Sequence, residues 1–450
     1  MNSVAVPATM VFEEDVESSG LAETPIWSTP IGWILLLPLL FYSVNGGIIT
    51  DSQPAKIAFS ATQESTPIHR LILLSIAITA FALSLTRSRA MGATAMHNLP
   101  VFILPVITLA SCSWSDAPLP TLVNSFFLIV QTVLALYLSV RLTRNQQLEL
   151  LVFAGAVALL SSWLAVFVFP SVGVDGYQNN AWRGIFSRHN NCAAAALFFC
   201  ISAYYYKTRS LAGVVLKYFV LGSGLVFVVM SESRTGWGLT VIALALGCAV
   251  SLLQLFSRHD RLTLLTVLLL LAGTSALCLY QYRDTVLTSV GKDATLDQRT
   301  LIWDITLQSA LHNPWIGYGY TSFWHGISGP SELVALSTGW MAAQAQSGYI
   351  DLSLDLGGLG LASFALMIVA AMRNGIRAGR STTGASSHFL RWCMVTVVIF
   401  LLYNIGESSI MGAYNLTWLI FVVAVFGMGK RDGDGSAAHD RAAINSGVAQ

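Results

Sequence analysis

Along the chain, apolar residues come in long runs rather than in the alternating or three-and-four spacing of a half-buried strand or helix. A helix needs roughly 20 such residues to cross hydrocarbon, and fewer where neighbours cover its ends. Twelve stretches qualify, centred near Leu37, Ala77, Ile107, Val130, Leu159, Leu197, Val226, Leu244, Leu269, Phe364, Val397 and Phe421. The shortest is the third, from Pro100 to Trp114. The pattern predicts an all-α polytopic membrane protein of about 12 transmembrane helices, since only helices satisfy their own backbone inside lipid.

The polar positions between the runs orient the chain. Arg87 and Arg89, Arg141 and Arg144, Lys207, Arg209 and Lys217, Arg258 and Arg261, Arg373, Arg377, Arg380 and Arg391, and finally Lys430, Arg431 and Arg441 fall on one side, 16 of the 24 basic residues. Cytoplasmic loops hold such an excess, so that side is inside and an even number of spans puts both termini there. Residues 1–30 contain Glu13, Glu14, Asp15, Glu17 and Glu23 and no Lys or Arg, which does not fit a cleavable signal peptide and reads as a retained, disordered cytoplasmic tail. Residues 431–450, poor in charge, read as a second tail, leaving 31–430 as the membrane domain.

Composition agrees. Hydrophobic residues make up 54% of the 450 and charged ones 10%, with mean hydropathy +0.64, far from a soluble domain's quarter charged. The formal net charge of +1 points to no nucleic acid. The six cysteines, Cys112, Cys192, Cys200, Cys248, Cys278 and Cys393, follow no paired spacing and mostly lie in apolar runs, which indicates neither disulfides nor a metal site. No cofactor motif is present.

Eight basic residues lie on the outer face: Lys56, Arg70, Arg183, Arg188, Arg234, Arg283, Lys292 and Arg299. Some outer arginines merely anchor in headgroups, and Lys56 and Arg70 fit that reading. Arg283, Lys292 and Arg299 fall in a loop of more than sixty residues, about 281–348, which is long enough to be functional. Within it, Asp297 is placed to cap a helix through Arg299, Trp303 and Leu311, ended by Asn313 and Pro314. With one apolar face, that helix would lie on the outer membrane surface or roof a cavity. Gly317, Tyr318, Gly319 and Tyr320 read as a turn.

Four outer segments combine charge, glycine and aromatic residues where a loop meets a span: 182–191, 231–236, 297–303 and 344–349. Arginine's planar fork matches phosphate oxygens bidentately, so several arginines at one membrane face suit a lipid-linked phosphate or pyrophosphate.

The same segments carry a resemblance. Trp182 to Asn190, Ser231-Glu232-Ser233-Arg234-Thr235-Gly236, Gly291 to Thr300 with Trp303, Asn313-Pro314 with Gly317-Tyr318-Gly319, Trp114-Ser115-Asp116 with Pro118, and Asn404 with Glu407-Ser408 resemble the O-antigen ligase and polymerase superfamily, spanning about residues 111 to 410. The segment from Lys292 to Trp303 looks most like exopolysaccharide polymerases of the ExoQ type. The resemblance implies a glycosyltransferase of the GT-C kind in the bacterial inner membrane, working at the periplasmic face on glycans linked to undecaprenyl pyrophosphate, with no metal or other cofactor. Membrane lipids, a chain-length regulator and export machinery are the further candidate partners. Arg183, Arg188, Arg234 and Arg299 match the positions held to bind pyrophosphate in that family, and His189, Asn190, Trp303 and Gln346 fall where sugar would be contacted.

One departure stands out. The family's His-Asn element falls on Gln346 and Ser347, and Gln cannot accept a proton. Candidate bases are then Glu232, Asp351, Asp355 and Glu407, with His189 and His325 beside them. Asp351 and Asp355, four apart, share one helix face, although acidic groups also simply suit a helix N-terminus. An ion pair with Arg234 is the structural alternative for Glu232, and Trp182, Trp303, Trp315, Trp324 and Trp340 suit a membrane interface as well as sugar. The expected activity is polymerisation of lipid-linked repeats, with ligation to lipid A core as the nearest rival. A lipid-linked sugar transporter is the rival from another class, and the near absence of charge within the spans argues against its ion-coupled form.

Overall fold

The computed structural model describes residues 25–44, 67–176, 180–253, 299–324, 329–339, 342–381 and 385–429. The predicted span at Leu269, the segment from Gly291 to Gln298, His325, Trp340, residues 1–24 of the first predicted tail and the second tail lie outside them. The end of the first tail is ordered, against expectation: Ile26–Ser28 form a short 3-10 helix, with Ile26 buried and its N–H donating to Glu149 Oε1 at 3.0 Å.

Eleven of the twelve predicted span centres fall in helices, and the chain is an all-α polytopic membrane protein. Among the described residues, five helices are long and apolar enough to cross a membrane: Pro118–Arg141, Arg144–Val168, Leu211–Met230, Gly348–Gly379 and Ser387–Gly406. A sixth follows if Leu71–Leu85 and Ser88–His97, bent by 95° at Thr86 and Arg87, count as one. Pro30–Val44, Pro100–Ser113 and Leu416–Met428 are apolar but shorter. Among the described residues the one sheet is an antiparallel pair of two-residue strands, Val174–Asp175 and Ala181–Trp182.

Local chemistry fixes the helix ends. Thr143 and Gln146 form a reciprocal capping box that starts Arg144–Val168 immediately after Arg141 has closed the preceding helix. Proline leads Pro100–Ala110 and Pro118–Arg141, where its missing N–H costs nothing. The Asn415 side chain accepts from the Thr417 N–H and opens the final helix.

That last helix, Leu416–Met428, is buried at every position, so its all-round apolar character makes it the centre of the bundle. Phe421 stacks on Phe400 with ring centroids 4.2 Å apart, and Trp392 reaches from Ala385–Gly406 to the Ser202 hydroxyl at 3.1 Å. His189–Tyr205 is buried nearly throughout, and Gly155 of Arg144–Val168 admits its Phe199: a Cβ on Gly155 would meet that ring at 2.8 Å. Arg141, Arg144, Lys207 and Arg209 flank turns at one end of the bundle, and the arginine-bearing loops cluster at the other, here called the site end.

Gly348–Ser381 is not continuous. Gly357 sits at φ 59°, ψ −152°, breaking the helical ladder. The loop segment 314–319 fills the gap: Tyr318 and Gly319 N–H donate to the Leu354 and Asp355 carbonyls at 2.8 and 2.9 Å, and Gly358 and Leu359 N–H donate to the Pro314 and Trp315 carbonyls at 2.7 and 3.0 Å. Four backbone groups beside the break thus gain partners, as a helix interrupted within a membrane protein requires. The close approach needs glycine on both sides. A Cβ on Gly317 (φ 65°) would lie 2.5 Å from the Asp355 carbonyl carbon, and one on Gly357 2.5 Å from that of Trp315. The Gly317 to Tyr320 tract is therefore a splint across a span rather than a free turn.

Candidate functional site

Glu407 joins the predicted segments. It follows the helix Ala385–Gly406 and is buried, and its Oε1 accepts from Asn190 Nδ2 at 2.9 Å and from Arg299 Nη2 at 3.2 Å. Arg299 also donates through Nη1 to the Gly406 carbonyl. A Cβ on Gly406 would lie 3.4 Å from that nitrogen and 3.8 Å from the Thr235 hydroxyl, so the 231–236 segment borders the same point. The Glu407 carbonyl accepts from Gly348 N–H at 3.0 Å, which brings in 344–349. Two of the segments thus bond the Glu407 carboxylate, a third bonds its backbone carbonyl, and the fourth borders Gly406 beside it.

Each is held there by its own sequence. In 182–191, the N–H groups of Arg183 and Gly184 both bond the Gly173 carbonyl at 2.9 Å, and Gly184 (φ 58°) admits the Ser162 side chain, whose hydroxyl accepts from Ile185 N–H at 3.2 Å. In 231–236, the Ser233 hydroxyl accepts from Gly236 N–H at 3.2 Å and starts the helix Arg234–Leu253, while Gly236 lets that helix approach Ala193. Glu232 has φ 53° and donates its N–H to the Val229 carbonyl at 3.2 Å, which makes it the left-handed residue ending Leu211–Met230, a place usually given to glycine. It is exposed and forms no ion pair with Arg234.

The predicted arginines divide into two kinds. Arg183 spends its guanidinium on the Val172 and Ser171 carbonyls at 2.8 and 3.3 Å, and Arg299 on Gly406 and Glu407. Arg188 and Arg234 are exposed and have no hydrogen-bond partner among the described residues. They are the cations open to an anionic ligand.

The two helix aspartates do share a face, and both fasten loops. Asp351 Oδ1 accepts from the Trp324 indole at 2.9 Å and from Ala345 N–H at 3.0 Å, and Oδ2 from the Ser408 hydroxyl. Asp355 Oδ1 accepts from Thr321 N–H at 3.0 Å. Thr321 is a β-branched residue at φ 57°, a strained conformation held by that bond and by Asn124, which donates to its hydroxyl at 2.9 Å. With both oxygens engaged by donors from three different segments, Asp351 reads as a positioning residue.

Trp303 likewise uses its indole N–H on the Ala345 carbonyl at 2.9 Å. Gln346 is next in the chain, at φ 55°, clamped on one side by Trp303 and Asp351 and on the other by Ser347, whose hydroxyl reaches the Asn404 carbonyl at 3.4 Å. Its own amide has no hydrogen-bond partner among the described residues, so the backbone is strained and the side chain uncommitted. His189 Nδ1 lies 3.5 Å from Asp175 Oδ2, at the limit of a hydrogen bond. Among the described residues no group of three or more His, Cys, Asp or Glu gathers as metal ligands would.

Sequence reasoning missed Thr321 and its partner Asn124, which carry no motif signal. Ser408 and Thr235 stood out only inside the resembling segments and Trp324 only among the outer tryptophans, none of them as a fastener. Asn404 was singled out only through resemblance; its Oδ1 accepts from the N–H groups of Ser409 and Ile410 at 2.8 and 3.0 Å and shapes the turn after Glu407.

A multi-span membrane protein with a buried carboxylate-arginine pair and two open arginines at one end of its bundle is suited to act on an anionic, lipid-borne substrate. Residues 218–365 match the family model described as O-antigen ligase, in line with the resemblance of the chain's segments to the O-antigen ligase and polymerase superfamily. The match covers the 231–236 segment, Arg299, the splint and Gln346. No curated protein matches the chain.

Proposed function

We propose that the protein polymerises oligosaccharide repeats carried on undecaprenyl pyrophosphate, at the periplasmic face of the bacterial inner membrane, with both termini cytoplasmic. In this reading an acceptor hydroxyl of one lipid-linked repeat attacks the anomeric carbon of another lipid-linked chain. The new glycosidic bond forms with inversion as the bond to pyrophosphate breaks, and undecaprenyl pyrophosphate leaves with the electron pair. Arg188 and Arg234 meet the pyrophosphate and offset the charge that develops on it, the electrostatic term that dominates in a site closed to water. Glu407 takes the hydroxyl proton, in place of the histidine that Gln346 replaces, and Gln346 and Asn190 bind sugar hydroxyls.

The observation that carries this reading is the meeting of the 182–191, 231–236, 299–303 and 344–349 segments at Glu407, within a chain whose 218–365 region matches the O-antigen ligase family. The preference for a polymerase over a ligase rests on the likeness of 292–303 to ExoQ-type polymerases. Deleting the gene and sizing the glycans by mass spectrometry tests it: single repeats accumulating on the lipid carrier support the polymerase, and full-length chains stranded on the carrier make the protein a ligase. Purified protein given lipid-linked repeats tests the site, because full activity after Arg188→Ala with Arg234→Ala would refute the proposed pyrophosphate contacts.

A further inference from the structure

The helix Arg299–His312 and the splint behind it carry an exposed apolar surface at the site end. Leu311 is 76% and Trp315 78% exposed, with Leu307 and Ile316 also open. On the helix, Leu307 and Leu311 lie along one edge of the exposed face, and Asp304 and Gln308, which bond each other at 3.4 Å, lie along the other.

The height of this surface follows from the broken span. Gly348–Gly379 rises about 48 Å at roughly 1.5 Å per residue, well beyond the roughly 30 Å of a hydrocarbon core. The part beyond the break, from Gly358 to Gly379, rises about 33 Å and fits that core. The break at Gly357 therefore sits at the hydrocarbon boundary, and Trp315 is beside it: its carbonyl accepts from Leu359 N–H, and a Cβ on Gly358 would lie 3.7 Å from its ring. Leu359 heads a row with Leu366 and Val369 that faces out from the bundle at helical spacing, the lipid face of the span. Trp315 continues that row at the depth where tryptophans of membrane proteins collect.

We propose that Leu311, Trp315 and Ile316 are seated in the lipid leaflet at the site end, at the boundary of headgroups and acyl chains, and moor the loop that carries Arg299 to the bilayer. The occupant is lipid, because the surface is continuous through Trp315 with the lipid face of Gly348–Gly379.

The test is spin-label depth measurement on full-length protein in lipid nanodiscs, with single cysteines introduced by Trp315→Cys, Leu311→Cys and Gln308→Cys and the signal of the unsubstituted protein subtracted. Labels at 315 and 311 should collide with dissolved oxygen several-fold more than with an aqueous nickel complex, and the label at 308 should show the reverse. If 315 and 311 are as open to nickel as 308, the surface faces water and the proposal fails. If they are shielded from both reagents, protein covers them, whether another part of this chain or a second copy, and it fails as well. Leu311→Cys alone decides the question where Trp315→Cys does not fold. None of these readings depends on the reaction the protein performs.

Discussion

Arg299 holds Glu407 twice over: one guanidinium nitrogen lies 3.2 Å from the carboxylate and another bonds the carbonyl of Gly406 immediately before it. Both side chains are largely shielded from water, at 16% and 6% exposure. Removing one partner of such a pair leaves the other charge buried and costs about 3 to 5 kcal/mol. Arg299→Ala is therefore expected to lower the melting temperature sharply and abolish polymer formation. Arg299→Ala combined with Glu407→Gln should recover much of the stability and none of the activity. Full additivity of the two losses in thermal melts would show that the pair is not coupled.

Asp351 is expected to behave as a fastener. Asparagine can keep the acceptor used by Trp324 and Ala345 and turn its amide to Ser408, whose hydroxyl can accept. Asp351→Asn should stay within about 1.5 kcal/mol of the parent and retain activity, whereas Asp351→Ala strands three donors and should cost more than about 2 kcal/mol. Loss of turnover in a stably folded Asp351→Asn protein, with KM unchanged, would instead mark the carboxylate as catalytic.

Glu232 occupies a left-handed helix terminus for a backbone reason. Glycine there removes the strain of its side chain, so Glu232→Gly should leave melting unchanged or raise stability by up to about 1 kcal/mol. Activity retained in the same protein, measured as polymer length, is the expected result. A stable and inactive Glu232→Gly protein would restore the side chain as a candidate base.

Histidine tolerates positive φ better than most residues, so Gln346→His should fold. Its imidazole would titrate near the ordinary value of about 6.5. If it takes the proton role, activity should rise as pH climbs through that range and the imidazole loses its charge. A pH profile identical to that of the parent would place residue 346 outside the proton path.

Gly317→Ala and Gly357→Ala each force a Cβ to 2.5 Å from a carbonyl carbon at positive φ, and each should cost more than about 2 kcal/mol, read as loss of monodisperse protein in detergent. Gly358→Ala meets nothing closer than 3.4 Å and serves as the control expected to fold normally.

Much of this architecture was legible in the sequence. Long apolar runs fix helices in lipid almost regardless of detail, and eleven predicted centres lie in helices for that reason. The helix from Arg299 was visible in its apolar spacing and in Asn313-Pro314 at its end. The segments of the site could be chosen from charge on the less basic face. Their meeting point could not, because Asn190, Arg299 and Glu407 are separated by 108 and 217 residues and each looks ordinary in its own surroundings. Asp351 and Asp355 were correctly placed on one face, but a carboxylate that fastens a loop and one that moves a proton have the same sequence signature. The break at Gly357 was hidden for a similar reason: glycine in an apolar run reads as helix packing, and its partner, Gly317, lies forty residues earlier.

That partnership sets how the chain can change length. Residues 314–319 and 354–359 are two halves of one ladder, bonded in a fixed register. Adding or deleting a single residue in either half would shift every bond across the break. The chain between them is tied to the same ladder, through Thr321 on Asp355 and through Val334 and Ala342, which share a buried cluster with Leu354. Changes of length should therefore be tolerated outside residues 314–359 rather than within them, so that span and site rim vary as one piece.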